Sequence, residues 1–101
     1  MKTIGNSIGD RAVVIGGSIA GLLAARVLAD YFTKVIVVER DPLPREPKSR
    51  KGVPQSTQPH ILLTKGYRIL LDLLGEDFRA ELLQQGALTI DWGREFCGLY
   101  I

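Results

Sequence analysis

The sequence predicts an α/β fold built on a βαβ unit with two parallel strands. A short apolar run rich in β-branched residues, residues 11–15, ends at a pair of glycines. Residues 18–31 then show the apolar spacing of a helix, and a second β-branched run, residues 33–38, follows directly. Two such runs joined by a helix form a right-handed crossover, so we expect both strands to lie parallel in one sheet.

The first strand is expected to be buried, and the helix is expected to carry its large apolar side chains on one side. The run RAVVI is short, apolar and bounded by glycine, which is typical of a buried strand. In the helix, Ile19, Leu22, Leu23 and Val27 fall on one side at helical spacing.

The second half of the chain is expected to be less regular at first and then helical. All five prolines of the chain fall between residues 40 and 59, a density that excludes regular structure and predicts a long loop. The further elements predicted are a helix from about residue 60 that stops at Gly75, a helix over residues 76–85 that stops at Gly86, and strands over residues 87–92 and 96–101.

The length, net charge and cysteine content of the chain exclude several classes of protein. The chain has 101 residues, enough for one small domain, and its net charge of +2 is too weak to indicate nucleic-acid or anionic-membrane binding. The lone Cys97 excludes an internal disulfide, fits a reducing compartment such as the cytoplasm, and is expected to be a small buried hydrophobe. The longest uncharged stretch, residues 12–25, is shorter than the roughly 18–20 residues that span a bilayer.

The turn between the first strand and the helix has the pattern of a phosphate-binding loop. The three positions of the GxGxxG pattern fall on Gly16, Ser18 and Gly21, and Gly17 occupies a free position. In dinucleotide-binding folds these glycines permit a tight turn, a close approach of phosphate and close helix–sheet packing. Ser18 either offers its hydroxyl to the phosphate or caps the helix. A glycine-rich turn without any ligand is the alternative interpretation.

An acidic residue at the end of the second strand strengthens the nucleotide interpretation. Glu39 lies after Gly16 at a sequence separation that suits the carboxylate of dinucleotide-binding folds, which follows the glycine motif by ~20 residues and binds an adenosine ribose hydroxyl. A carboxylate there repels a 2′-phosphate and disfavours NADP, although the neighbouring Arg40 leaves room for it. At this point NAD, FAD and, less favoured, NADP all remain open.

Two longer segments resemble a known family. Residues 11–41, RAVVIGGSIAGLLAARVLADYFTKVIVVERD, resemble the N-terminal βαβ unit of FAD-dependent oxidoreductases of the aromatic-hydroxylase type, which include flavoprotein monooxygenases and related halogenases, epoxidases and prenyl reductases. Residues 50–66, RKGVPQSTQPHILLTKG, are similar to a later segment in a bacterial branch of that family. The resemblance implies a Rossmann-like FAD/NAD(P)-binding fold with FAD as cofactor.

The resemblance assigns roles residue by residue. It places the FAD pyrophosphate against Gly16, Gly17, Ser18, Ile19, Ala20 and Gly21, the adenosine ribose on Glu39, the adenine near Arg40, and the flavin side near Gln55 and His60. Relatives often carry a basic residue and a first His before the position of His60, where this chain has Thr57 and Gln58. His60 can equally be a surface residue at a helix start.

The resemblance also implies an incomplete flavoprotein. Members of the family are several hundred residues long, so residues 1–101 are expected to form a single, truncated N-terminal FAD-binding segment in which no catalytic residue can be assigned and whose catalysis would need downstream sequence. The parent enzyme would take an apolar or aromatic substrate, with NAD(P)H as a possible reductant. The partners considered for this segment, besides FAD, are a complementary polypeptide and a second copy of the segment. An NAD(P)-linked Rossmann oxidoreductase and a non-catalytic remnant are the alternatives. The long proline-rich loop favours the flavoprotein over the NAD(P)-linked enzyme.

The proline-rich loop carries a cluster of basic residues between Arg45 and Lys51. It is interpreted as a solvated loop face. The alternative is that one of Arg45 or Arg50 contacts the FAD phosphate or the flavin.

Overall fold

The computed structural model describes residues 7–91 and residue 94. The chain forms two compact units, Met1–Leu63 and Thr64–Ile101. The regular elements of the first unit are strand β1 (Gly9–Ile15), helix α1 (Ile19–Leu28), strand β2 (Phe32–Val38) and a short 3-10 helix (Pro54–Thr57); those of the second are helices α2 (Thr64–Leu74) and α3 (Asp77–Gln84).

Strands β1 and β2 are parallel, as predicted. Their register runs from Gly9 opposite Phe32 to Ile15 opposite Val38. One further bond continues the ladder beyond the last pair, because the Gly16 N–H donates to the Val38 carbonyl at 2.8 Å. The βαβ unit is therefore confirmed, and its two strands end at the same edge.

Helix α1 is shorter than predicted at its carboxyl end. Instead of continuing to residue 31, it ends at Leu28, and two tight turns follow. The Asp30 N–H donates to the Val27 carbonyl at 3.1 Å, and the Tyr31 N–H donates to the Leu28 carbonyl at 2.9 Å. These turns reverse the chain within three residues, so β2 can begin at Phe32.

The predicted burial of β1 is wrong for Val13 and Ile15. Val14, 8% exposed, is the buried hydrophobic residue among those the structure describes. Its neighbours Val13 and Ile15 are 59% and 88% exposed, and Ile19 and Leu22 of α1 are also exposed. Successive strand residues face opposite sides, and a Cβ on Gly21 of α1 would lie 3.5 Å from Val14 Cγ1, so the helix lies on the Val14 side of β1.

The proline-rich loop is irregular, as its composition predicts. It contains a turn at residues 50–53, closed by a hydrogen bond from the Val53 N–H to the Arg50 carbonyl at 3.1 Å, and the 3-10 helix at Pro54–Thr57. The helix predicted from residue 60 instead begins at Thr64.

In the second unit, both predicted helix stops are confirmed. Gly75 and Gly86 have φ of 97° and 99°, the left-handed conformation that ends helices. The strand predicted over residues 87–92 is wrong for residues 87–91, which form no strand and have no ladder partner. Position 92, the strand predicted at 96–101 and Cys97 lie outside the described residues. Within the described part of the chain, no helix is both long and apolar enough to cross a membrane.

Candidate functional site

The candidate site lies where β1 and β2 end. Because Ile15 is opposite Val38, the residues that follow the two strands are brought together. The Gly17 N–H donates a hydrogen bond to Glu39 Oε2 at 3.1 Å. Ligands of parallel α/β sheets bind at this carboxyl edge. The fold therefore joins the two motifs that the sequence analysis singled out, although they are more than 20 positions apart.

Gly16 has a backbone conformation that strongly favours glycine. Its φ is +105°, and a Cβ built on it would meet nothing within 4 Å. Its N–H is fixed to the Val38 carbonyl, so the turn cannot easily relax. The backbone is thus held in a left-handed turn with open space above it, as the close approach of a phosphate requires.

Gly17 and Gly21 are closely packed, and the overlap is with backbone only at Gly21. A Cβ on the buried Gly17 would lie 3.2 Å from both Cβ and Oε2 of Glu39. A Cβ on Gly21 would overlap the carbonyl oxygen of Gly16 and lie 3.5 Å from Val14 Cγ1. Gly21 therefore lets α1 start directly against the turn, the role expected of the last glycine of the motif.

The amino terminus of α1 presents backbone donors. The earliest intrahelical bond runs from the Leu22 N–H to the Ser18 carbonyl at 2.9 Å, so the N–H groups of Ile19, Ala20 and Gly21 have no carbonyl partner within the helix. Ser18 occupies the N-cap position, but its side chain makes no capping hydrogen bond, and the first turn has no acidic residue. These donors and the helix dipole favour an anion at this point.

The carboxylate of Glu39 is held by backbone groups on both of its oxygens. Oε2 accepts from the Gly17 N–H, and Oε1 accepts from the Arg40 N–H at 2.9 Å. The Arg40 side chain is exposed and points to Asp41, and the hydrogen bond to that carboxylate raises the pKa of Arg40 above its ordinary value. Arg40 therefore stays charged beside the predicted ribose site.

Arg50 connects the proline-rich loop to this site. Its Nη2 donates to the Gly17 carbonyl at 3.3 Å, and its Nη1 lies 3.6 Å from Glu39 Oε2. The two side chains are only 18% and 20% exposed. The sequence did not distinguish Arg45 from Arg50, whereas the fold places Arg50 against the glycine turn and leaves Arg45 exposed. Only the path of the loop could make this distinction.

A recess in the loop adjoins Arg50. It has a volume of about 300 Å³ and opens to solvent. Its lining consists of two prolines, an acidic residue and the basic segment of the loop, namely Asp41, Pro42, Pro44, Lys48, Ser49, Arg50 and Lys51. Arg50 lines this recess and also contacts the glycine turn through the Gly17 carbonyl.

The remaining predicted site residues, Gln55 and His60, are exposed. The structure gives neither side chain a hydrogen bond to the glycine turn among the described residues. Their assignment to the flavin side stays a prediction. No group of three or more His, Cys, Asp or Glu side chains that could hold a metal ion occurs within residues 7–91 and 94.

Comparisons with known proteins give two partial relatives. The chain is 56% identical over 57 residues to Protein Rv3254 of Mycobacterium tuberculosis, a match that covers 56% of this chain and 12% of that protein. It is 48% identical over 42 residues to an iron-sulfur subunit of the CoB--CoM heterodisulfide reductase of Methanopyrus kandleri, covering 42% of this chain and 6% of that protein. No family model and no solved structure matches the chain. The two relatives are thus similar to this chain over a small part of their own length.

Proposed function

We propose that this chain binds the adenosine diphosphate portion of FAD and is the N-terminal nucleotide-binding part of a flavin-dependent oxidoreductase of the monooxygenase type. One observation carries the proposal. The open, left-handed Gly16 turn, the unpaired donors of α1 and the Glu39 carboxylate meet at one edge of a parallel sheet. Anion donors beside a fixed carboxylate suit a pyrophosphate linked to a ribose.

Each chemical part of the nucleotide has a fitting group. The pyrophosphate would lie on Gly16, Gly17 and the first turn of α1 (Ser18, Ile19, Ala20 and Gly21). The space beside Gly16 is open, and a side chain at that position would fill the space that the pyrophosphate needs. The Ser18 hydroxyl makes no capping bond and would donate to a phosphate oxygen. Glu39 would accept from a ribose hydroxyl, with Arg40 near the adenine.

The redox part of the proposal comes from the comparisons and from the resemblance. One partial relative is named as part of a reductase, which supports an oxidoreductase. When bound, the flavin supplies the redox chemistry, including the reaction of its reduced form with O₂, whereas this chain binds and orients its nucleotide portion. The apolar or aromatic substrate, and NAD(P)H as reductant, belong to the parent enzyme.

Titration of the purified chain with nucleotides tests the proposal. We expect FAD and ADP to bind with similar affinity, because the site recognises the portion they share. NADP⁺ should bind at least about tenfold more weakly, because Glu39 repels its 2′-phosphate. Flavin fluorescence and calorimetry measure these affinities. The proposal is refuted if the chain leaves the fluorescence of added FAD unchanged and gives no heat with ADP, and preferential binding of NAD⁺ over FAD points to a nicotinamide-linked enzyme.

Replacing Glu39 by Gln should weaken FAD binding about tenfold, the typical cost of losing a hydrogen bond to a charged group. The amide keeps the shape of the side chain but loses its charge and its ion pair with Arg50. Glu46→Gln is the matched control, because Glu46 is an exposed acidic residue of the proline-rich loop that follows Glu39. Equal FAD affinities for the two variants would remove Glu39 from the site.

A further inference from the structure

Gly17, Glu39 and Arg50 form a closed network around the candidate ribose site. The Gly17 N–H donates to Glu39, the Gly17 carbonyl accepts from Arg50, and the Arg50 guanidinium lies 3.6 Å from the same Glu39 oxygen. Arg50 thus contacts both partners of the Gly17–Glu39 hydrogen bond. It is itself held by the turn at residues 50–53, in which Arg50 and Val53 form an isolated bridge.

The packing around this turn keeps Arg50 in place. Gly52 lies so close to the Asp41 carboxylate that a Cβ there would overlap it, and the same Cβ would lie 3.3 Å from Arg40 Nη2. The turn therefore rests on the residues that follow Glu39. The backbone of Arg50 is therefore held in place, and its planar guanidinium contacts the Gly17 carbonyl and the Glu39 carboxylate at the same time. The ammonium group of a lysine would fit these two acceptors less well.

We propose that Arg50 is a positioning residue that holds the Glu39 carboxylate against Gly17, so that the site distinguishes a ribose from a 2′-deoxyribose. This inference rests on the proposed nucleotide binding. A glutamate side chain at a chain surface loses conformational freedom when it is fixed. Arg50 fixes it before the ligand arrives, and preorganisation of this kind increases selectivity and affinity.

A direct contact between Arg50 and phosphate makes a different prediction. Loss of a phosphate contact weakens ADP and 2′-deoxy-ADP equally and leaves their affinity ratio unchanged. Loss of a positioning residue lowers the ratio, because only the ribose hydroxyl senses the orientation of Glu39. The ratio of the two dissociation constants therefore separates the two roles.

The experiment measures ADP and 2′-deoxy-ADP binding to the full 101-residue chain and its variants by calorimetry. We expect the native chain to prefer ADP about tenfold. Arg50→Met should reduce this preference to less than about threefold, as Glu39→Gln does, and the double variant should lose no more than Glu39→Gln alone, because the two residues act as one unit. Arg50→Lys should keep an intermediate preference. Arg45→Met, an exposed arginine of the same loop, should behave as the native chain.

The Gly17 amide gives a readout that needs no ligand. In the ligand-free protein, the ¹H–¹⁵N resonance of Gly17 in Arg50→Met should move toward the position that it has in Glu39→Gln. In both variants the hydrogen bond from the Gly17 N–H to the side chain at position 39 is weaker than in the native chain. Native selectivity together with a native Gly17 resonance in Arg50→Met overturns the inference while nucleotide binding stands. A native chain that binds neither nucleotide refutes the proposed function instead, and the Gly17 resonance still decides whether Arg50 holds Glu39.

Discussion

Valine at position 16 is expected to weaken FAD binding by at least about a hundredfold, equivalent to about 3 kcal/mol. The substitution has two separate effects: the strain lowers the free energy of unfolding, and the added side chain lowers the affinity for FAD. Gly16 has φ of +105°, where a β-branched residue is strained by about 1–3 kcal/mol. The valine side chain would also fill the open space above the turn, which is the space assigned to the pyrophosphate. Flavin fluorescence titration measures the affinity, and thermal unfolding measures the strain.

Gly75→Val is the matched control for the strain. Gly75 ends α2 with φ of +97°, and a Cβ on it also meets nothing within 4 Å. Its substitution should cost a similar free energy of unfolding, yet it lies outside the candidate site and should leave FAD affinity unchanged. If the Gly16 variant stays folded and binds FAD as tightly as the native chain, no phosphate lies over Gly16.

Alanine at position 21 is expected to destabilise the βαβ unit by about 1–3 kcal/mol and to abolish FAD binding. Its Cβ would overlap the carbonyl oxygen of Gly16, which is backbone and cannot rotate away. The amino terminus of α1 must then move from the turn and carry its donors with it. Chemical denaturation and FAD titration measure the two effects.

The sign of the Gly21 result is informative, because helix propensity alone predicts the opposite. A glycine-to-alanine change inside a helix normally stabilises it by about 1 kcal/mol. Ala24→Gly, at an exposed position of α1, measures that propensity in this helix and should leave FAD affinity unchanged. A Gly21→Ala variant that is more stable than the native chain would show that α1 does not pack against the Gly16 carbonyl.

Local sequence patterns predicted the elements with the strongest local causes. The β-branched runs became β1 and β2, the prolines kept the loop irregular, and Gly75 and Gly86 ended their helices. The predictions were wrong where an element depends on contacts with another part of the chain. Residues 87–91 are apolar enough for a strand but have no neighbouring strand to pair with in the described residues. In β1, Val13 and Ile15 are exposed because no described element covers their face of the strand.

Within the site, the residue types and their spacing were enough to predict the glycine turn, the start of α1 and an acid after β2. A tight turn into a helix and an acid at the end of a strand are consequences of residue type and spacing along one short segment. The tertiary structure alone decided that the Gly17 N–H lies 3.1 Å from the Glu39 carboxylate and that Arg50, rather than Arg45, reaches both. Those contacts depend on the strand register and on the path of a long loop, and neither is encoded by the spacing of residues within a single element.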